Sequence, residues 1–393
     1  MKRVISIFVI FMLVFSLFSC VSANDDITVT VNGKIAEFDV KPILINGRTM
    51  IPVRKVFEMC GALVSWDDKT STAIGKKNDT EIKITVDSYI MTKNGEEIKL
   101  DVKPCNIGGR VLAPVRAISE SFGLRVLWDD KTRTVSIFDN DGVLVTCIDV
   151  GQADSSFIEL PDGKTMLIDA GKRGSGKTVV NFIKSKGYDK INYVVATHPH
   201  EDHIGGMIAV LNEFEVENFY MPEVSATTKV FSDMLDAVEN NGCNAIYARG
   251  GKTIFEKGSL KAMFLAPLST FYESTNDYSA VVKITYKDSS FLFMGDAEKL
   301  SEKEILNKGF DVKADVLKVG HHGSSTSSHY NFIKKVMPKF AVISCGKDNE
   351  YGHPHQETLD TLEKFKIPVY YTNGTGNVMV YTDGIEYTVT DKN

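Results

Sequence analysis

Hydrophobic positions change rhythm three times along this chain. Val4 to Phe18 is almost wholly apolar, follows Lys2 and Arg3, and stops abruptly at Asn24-Asp25-Asp26. A basic start, a short apolar core and the small residues Val21-Ser22-Ala23 predict a cleaved export signal over residues 1–23. The run is too short to serve comfortably as a permanent membrane span. From about Asn24, apolar and polar residues alternate around Asn32-Gly33 and Asn94-Gly95, a strong hairpin signal. Beyond the polar break Phe138-Asp139-Asn140-Asp141-Gly142, blocks replace alternation. Apolar strands are predicted at Val143–Val150, Thr165–Ala170 and Ile191–Ala196, with a helical stretch at Thr178–Lys186 between them. Phe291–Met294 and Val316–Val319 read as further strands.

The alternating segment repeats itself. Lys41-Pro42 answers Lys103-Pro104, Gly47-Arg48 answers Gly109-Arg110, and Pro52-Val53-Arg54 answers Pro114-Val115-Arg116. Trp66-Asp67-Asp68-Lys69-Thr70 answers Trp128-Asp129-Asp130-Lys131-Thr132, always 62 residues on. Each unit reads as a hairpin, a short helix with Pro52 or Pro114 in its first turn, and a strand carrying the Trp. One unit is too small to bury much alone, so the two are expected to share a core. The repeated Trp, Arg and Pro fit an architectural role first and a ligand groove second.

The second half concentrates chemistry. All eight histidines lie between His198 and His355. Thr197-His198-Pro199-His200-Glu201-Asp202-His203 puts three imidazoles and a carboxylate within six residues, directly after a predicted buried strand. A tight loop at a strand end can aim such side chains at one point, and these are ligands that zinc, manganese or iron accept. Four other motifs accompany the loop: Asp149-Val150-Gly151-Gln152-Ala153-Asp154-Ser155, Leu167-Ile168-Asp169-Ala170-Gly171, Phe293-Met294-Gly295-Asp296-Ala297-Glu298, and Val319-Gly320-His321-His322-Gly323-Ser324-Ser325. Three of the five motifs place polar ligands at the C-terminal end of an apolar strand.

These motifs, with Gly352-His353-Pro354-His355, resemble the metallo-β-lactamase superfamily over residues 142–390. Within it they resemble the hydrolase domain of ComEC-type DNA-uptake proteins and the teichoic-acid phosphorylcholine esterases. Residues 24–138 are similar to the copper amine oxidase N-terminal-like, or stalk, domain, although they contain no histidine to hold copper. The resemblance implies an α+β fold: a tandem α+β repeat domain followed by a four-layer αββα sandwich.

It also implies two divalent metal ions, zinc or manganese. His198 and His200 would hold one, Asp202 and His203 the other, and Asp296 would bridge them. His321 or His322 would complete the second site, and the sequence does not choose. Many members of the superfamily supply a further histidine between the loop and the bridging aspartate; none occurs here between His203 and His321. Asn276-Asp277 sits where this branch often has an Asn-Asp pair and is expected to fill or border that gap. Asp149 and Asp169 read as braces of the metal loops or as ordinary turn carboxylates, and His329 as a surface histidine.

The implied activity is hydrolysis of a phosphodiester, in nucleic acid or a wall teichoic acid, by a metal-activated hydroxide. Asp202 and Asp296 would hold the metals and orient the nucleophile. Asn276, Asp277, Lys318, Ser324, Asn349 and His353 are the candidate substrate contacts, His353 also assisting catalysis. Two readings compete: a hydrolase of a lactone or β-lactam carbonyl, and a non-catalytic wall-binding protein. Gly171-Lys172-Arg173-Gly174-Ser175-Gly176-Lys177-Thr178 fits the phosphate-loop pattern, but it falls in the variable turn after Ile168-Asp169-Ala170-Gly171, and no nucleotide is expected.

Composition adds limits. The net charge of −6 argues against a broadly basic nucleic-acid coat, although Lys308, Lys313, Lys318, Lys334, Lys335 and Lys339 thicken the C-terminal half. Outside the predicted signal, Cys60, Cys105, Cys147, Cys243 and Cys345 are widely spaced with no CxxC, which is neither a disulfide framework nor a thiolate site. No later apolar run is long enough to cross a membrane, so a secreted or cell-surface protein is expected. The stalk-like domain would be its contact with the wall or surface. Lipid attachment at Cys20 is the second choice, because Phe18 fits the lipoprotein box poorly.

Overall fold

The computed structural model describes residues 26–31, 34–129, 133–139, 141–373 and 376–391. The predicted signal, Cys20, the Asn32-Gly33 turn and Asp130-Lys131-Thr132 lie outside the described residues. Among the described residues, no helix is long and apolar enough to cross a membrane.

The two repeat units build a common core by exchanging hairpins. The strand Thr28–Val31 leaves the first unit and pairs in parallel with Thr134–Phe138 of the second. Ile90–Lys93, its counterpart 62 residues on, pairs antiparallel with Thr80–Thr85 of the first. Asn94 and Gly95 both take positive φ, at 52° and 87°, as a tight hairpin turn between twisted strands requires. One buried cluster draws Ile51, Val56 and Phe57 from the first unit and Ala113, Ile118 and Val126 from the second. The helices are Val53–Met59 and Val115–Ser121. Pro52 and Pro114 close the preceding strands and stand one residue before each helix, rather than within its first turn. An extended ψ at Pro52 and Pro114, 116° and 115°, is what stops either from being helical.

The repeat ends where the next segment begins. The position of Thr80–Thr85 in the first unit corresponds to Val143–Cys147, which joins a different sheet. The junction is packed: the Phe138 ring stacks on Tyr381 at 4.1 Å, and Arg125 donates to the Gly142 carbonyl at 3.2 Å.

The rest of the chain forms two sheets of eight and seven strands. Their facing sides share one apolar core, including Ile168, Val195, Phe264, Phe291 and Val316. The outer face of the larger sheet carries the helices Gly176–Ser185, Met207–Glu213 and Lys229–Asn241 over Leu167, Val194 and Phe219. The helices Lys299–Lys308, Tyr330–Val336 and Gln356–Lys364 cover the smaller sheet through Leu292, Leu317 and Ala341. Alternation within single strands sorts the layers. Phe291 and Phe293 face the other sheet while Leu292 faces the helices, because successive strand side chains point to opposite faces. The result is the expected four-layer αββα sandwich.

In each sheet four neighbouring strands run parallel. Parallel strands end along one edge, and loops leaving their carboxyl ends converge there. Asp169 lies in the last two residues of one such strand, and the His198–His203 loop, Asp296, His321-His322 and the loop after Phe340–Ile343 follow the ends of others.

Candidate metal centre

The short helix Glu201–Ile204 follows Lys190–Val195 after one turn and fixes the histidine loop. Its fit needs glycine. A Cβ on Gly206 would lie 2.0 Å from the Ala170 carbonyl oxygen, and one on Gly205 would lie 2.3 Å from the Arg173 nitrogen. The same contact involves the phosphate-loop pattern. The Gly171–Thr178 turn packs its backbone against this helix, and Arg173 pairs with Asp233 at 2.5 Å.

Two groups of side chains meet around Asp296. His198, His200 and Asp296 bring one ligand atom each within 4.8 Å of one another, and so do Asp202, His203 and His322. His203 Nε2 lies 3.2 Å from Asp296 Oδ1 and 4.0 Å from Asp202 Oδ2. His322 Nε2 lies 3.2 Å from Asp202 Oδ2 and 3.8 Å from Asp296 Oδ1. On the other side, Asp296 Oδ2 is 3.6 Å from His198 Nε2 and 3.7 Å from His321 Nε2. The two oxygens of one carboxylate therefore face the two groups. His322, not His321, lies with Asp202 and His203.

The braces decide which ring nitrogen is free. His203 Nδ1 is 2.7 Å from Asp169 Oδ2, and Asp169 also accepts from the Thr197 backbone N–H and hydroxyl at 2.8 and 2.7 Å. His322 Nδ1 donates to the Ser344 carbonyl at 3.0 Å, with Asp154 Oδ1 at 3.2 Å. His198 Nδ1 lies 3.1 Å from the Thr197 hydroxyl and 3.4 Å from the Ser279 hydroxyl, which accepts from the Asp296 N–H at 3.0 Å. Each brace occupies Nδ1 and leaves Nε2 aimed into the cluster of carboxylate oxygens. His203 Nε2 and Asp296 Oδ1 are both buried with no hydrogen bond, and two such atoms would repel once Nε2 has lost its proton. A cation between them resolves the conflict, so these residues fit a divalent metal.

Charge tells the same story. Burial opposes a positive His203, but the carboxylates of Asp296, Asp169 and Asp202 overcome it and hold its pKa well above the ordinary value. Burial likewise opposes charge on His322, and Asp296 and Asp154 outweigh it, lifting it to about 10. Burial raises the Asp296 carboxyl, yet His203 and His322 hold it well below the usual range. Such a nest of anions holds protons when no metal takes their place. The backbone is also strained here: His321, His322 and Asp169 have φ of 47°, 53° and 58°, a region that costs non-glycine residues about 1–3 kcal/mol each.

The other predicted residues divide. His353 lies at the cleft, with its ring 5.5 Å from His321 and 6.2 Å from His322. Gln152 Oε1 accepts from the Gly346 N–H at 2.9 Å, so its amide nitrogen faces His353 Nδ1 at 3.2 Å. Nδ1 is thus the acceptor, and Nε2 carries the proton. Burial, with His321 and His322 nearby, pushes His353 down to about 4. Asn276 Nδ2 donates to Glu298 at 3.2 Å, and its buried Oδ1 has no partner. Glu298 Oε1 in turn lies 3.5 Å from His321 Nδ1, so Asn276 borders the first group.

Four expected substrate contacts are corrected. Lys318 is 3% exposed, and its Nζ donates to Asp154 at 2.7 Å and to the Val319 carbonyl at 3.2 Å. It supports the His322 brace from beneath and does not reach the cleft. Asp277 accepts from the backbone N–H of Glu298 and Ser301, both at 3.2 Å, at the start of the Lys299–Lys308 helix. Asn349 donates to the carbonyls of Gly346 and His353 and accepts from the His353 N–H at 3.0 Å, which closes the loop carrying His353. Ser324 is buried, and its hydroxyl serves the Thr326 turn. Each is spent on local structure.

The remaining candidates are local too. Asp149 accepts from Gly151 and Gly376 N–H, both at 3.2 Å, and braces a turn rather than a histidine. His329 pairs with the buried Glu302 at 3.1 Å. The five described cysteines are free. Gln152, Asp154 and Thr197 stand within the sequence motifs with no role assigned to them there, and Ser279 follows Asn276-Asp277 by two residues; nearness to the motifs is their signal in the sequence.

Residues 148–347 match the model of the metallo-beta-lactamase superfamily, and residues 30–137 match that of the copper amine oxidase N-terminal domain. ComE operon protein 3 of Bacillus subtilis is 32% identical over 251 residues, covering 60% of this chain and 32% of that protein. Recombination protein 2 of Haemophilus influenzae is 28% identical over 242 residues, covering 60% and 28%. Competence protein ComA of Neisseria gonorrhoeae is 26% identical over 246 residues, covering 59% and 31%. The chain spans about a third of the length of these curated relatives. Among solved structures, the diiron β-hydroxylase CmlA of Streptomyces venezuelae is similar at 12% identity and a TM-score of 0.42, over 82% of this chain and 75% of that one. The chain belongs to the metallo-β-lactamase superfamily.

Proposed function

We propose that this member of the metallo-β-lactamase superfamily is a metal-dependent phosphodiesterase, acting on a nucleic acid or a wall phosphodiester. The observation that carries the reading is the pair of ligand groups on the two oxygens of Asp296, each pointing imidazole Nε2 atoms at its carboxylate. His198 and His200 would hold one ion, Asp202, His203 and His322 the other, with Asp296 shared. When bound, zinc or manganese supplies a nucleophile at neutral pH and neutralises charge developing on a phosphoryl group.

The chain's own residues do the rest. Asp169, Thr197 and Ser344 keep the imidazoles in one tautomer, so no reorganisation is needed as the reaction proceeds. His353 is neutral above about pH 4, and its Nε2–H can donate to a phosphoryl oxygen. His321, 22% exposed, lies beside the first group at the open side of the cleft.

The test is turnover of bis-p-nitrophenyl phosphate, single-stranded DNA and a choline-phosphate ester with added manganese or zinc. Turnover of a diester that disappears in Asp202→Ala and His203→Ala supports the reading. Activity that survives both substitutions, or β-lactam turnover without diester turnover, overturns it.

A further inference from the structure

A groove of about 510 Å³ lies wholly within the N-terminal repeat domain and shares no residue with the histidine cleft. That volume is in the range of small-ligand sites. Trp128 lines it together with Lys99, Arg116 and Arg133. Arg48, also in the lining, is neutralised by Asp101 at 2.7 Å. Arg116 is only loosely engaged, 3.8 Å from Glu120. The Nε of Arg133 is buried and has no hydrogen-bond partner. A buried guanidinium nitrogen left without an acceptor costs stability unless a ligand supplies one.

The repeat contains its own control. Residues that serve the fold recur 62 positions away: Arg110 pairs with Asp39 at 2.6 Å as Arg48 pairs with Asp101, and Trp66 matches Trp128. Of the groove's cations, Arg48 and Arg116 recur as Arg110 and Arg54, whereas Lys99 and Arg133 do not. Arg133 corresponds to Ser71, and Lys99 to Glu37. The fold is built in the first unit without these charges, so architecture does not require them. They line the same groove as the Trp128 indole.

We infer that this groove binds a short saccharide carrying carboxylate or phosphate groups. The indole offers a flat apolar face for a sugar ring, and the guanidinium and ammonium groups offer charge-assisted hydrogen bonds to the acidic substituents. A nucleic-acid strand fits less well. Strand binding uses successive aromatic platforms along a basic track, whereas this groove presents one indole. Between residues 24 and 138, Lys plus Arg also balance Asp plus Glu to within one charge. A saccharide site here would tether the metal-bearing domain to an anionic glycan.

The chain has only two tryptophans, so Trp66→Phe leaves Trp128 as a single fluorescent reporter in the groove. The experiment titrates the full-length Trp66→Phe protein with tetragalacturonate, phosphorylated maltotetraose, neutral maltotetraose and oligothymidylate. Saturable change with either acidic sugar is expected, with maltotetraose and oligothymidylate at least about tenfold weaker, and with affinity falling as salt rises. The two acidic sugars distinguish carboxylate from phosphate recognition. Arg133→Ser and Lys99→Glu, which install the residues of the other repeat, should each weaken binding about tenfold. Lys99 is exposed, so its replacement leaves the fold intact even if that of Arg133 does not. Absence of binding by both acidic sugars, equal binding of maltotetraose, tighter binding of oligothymidylate, or an unchanged titration in Lys99→Glu overturns the assignment.

Discussion

The two groups that share Asp296 differ in how firmly the fold holds them. On one side, His203 and His322 are fully buried, each with its Nδ1 tied to a carboxylate or a carbonyl, and Asp202 is three-quarters covered. On the other, His198 is buried and braced, but His200 is exposed and His321 is partly so. The first arrangement is fixed before any ion arrives. The second is open on the side from which a substrate must come. The contrast teaches that one pattern of ligands can yield a rigid anchor and an accessible working position, according to what stands behind each imidazole.

Removing the shared residue tests both sides at once. Asp296→Ala is expected to lower the bound metal content of both positions and to reduce diester turnover by on the order of 10³-fold or more, measured by elemental analysis beside initial rates. Lys318→Met tests the foundation of the rigid side. It leaves the buried Asp154 carboxylate without its lysine and with only His322 beside it, and about 3–5 kcal/mol of stability should be lost; urea unfolding of Lys318→Met, Asp154→Asn and the double variant reads the coupling. A cycle showing no coupling would mean that the pair does not support His322.

The contrast itself is sharpened by Asp169→Asn, which loosens the hold on His203 Nδ1. Metal affinity should fall by about 10–100-fold, seen in competition with a chelator, while His321→Ala should leave the more tightly bound ion in place. If His321→Ala released that ion and His322→Ala did not, the sides would be reversed. The smallest effect belongs to Asn349→Ala. Loss of its hydrogen bonds to the His353 loop should cost about 1 kcal/mol with metal content unchanged, read by urea unfolding and elemental analysis.

Some of this arrangement was legible without coordinates. His198, His200, Asp202 and His203 are contiguous, so their convergence follows from one loop at a strand end. Asp296 announced itself by standing just past an apolar run. The repeat was visible because identical residues recur at one spacing. Lys318, Asp277, Asn349 and Ser324 were misread for a common reason: proximity in sequence to a motif does not say which way a polar side chain turns. The partner of Lys318 lies 164 residues earlier. Asp277 turns to a helix start and Asn349 to its own loop, and nothing in their spacing tells these apart from a cleft residue.

The sequence by itself determined the elements, because periodicity of two or of blocks sets which faces can be buried, and it determined the class of ligand, because imidazole and carboxylate are what the loops contain. It could not separate His321 from His322, which are adjacent and identical in type. That was decided by the left-handed backbone at both residues, which turns one ring to Ser344 and Asp202 and the other to Thr326 and the opposite oxygen of Asp296. Only the folded chain sets long-range partners, and a partner is what converts a polar residue into a brace, a cap or a ligand.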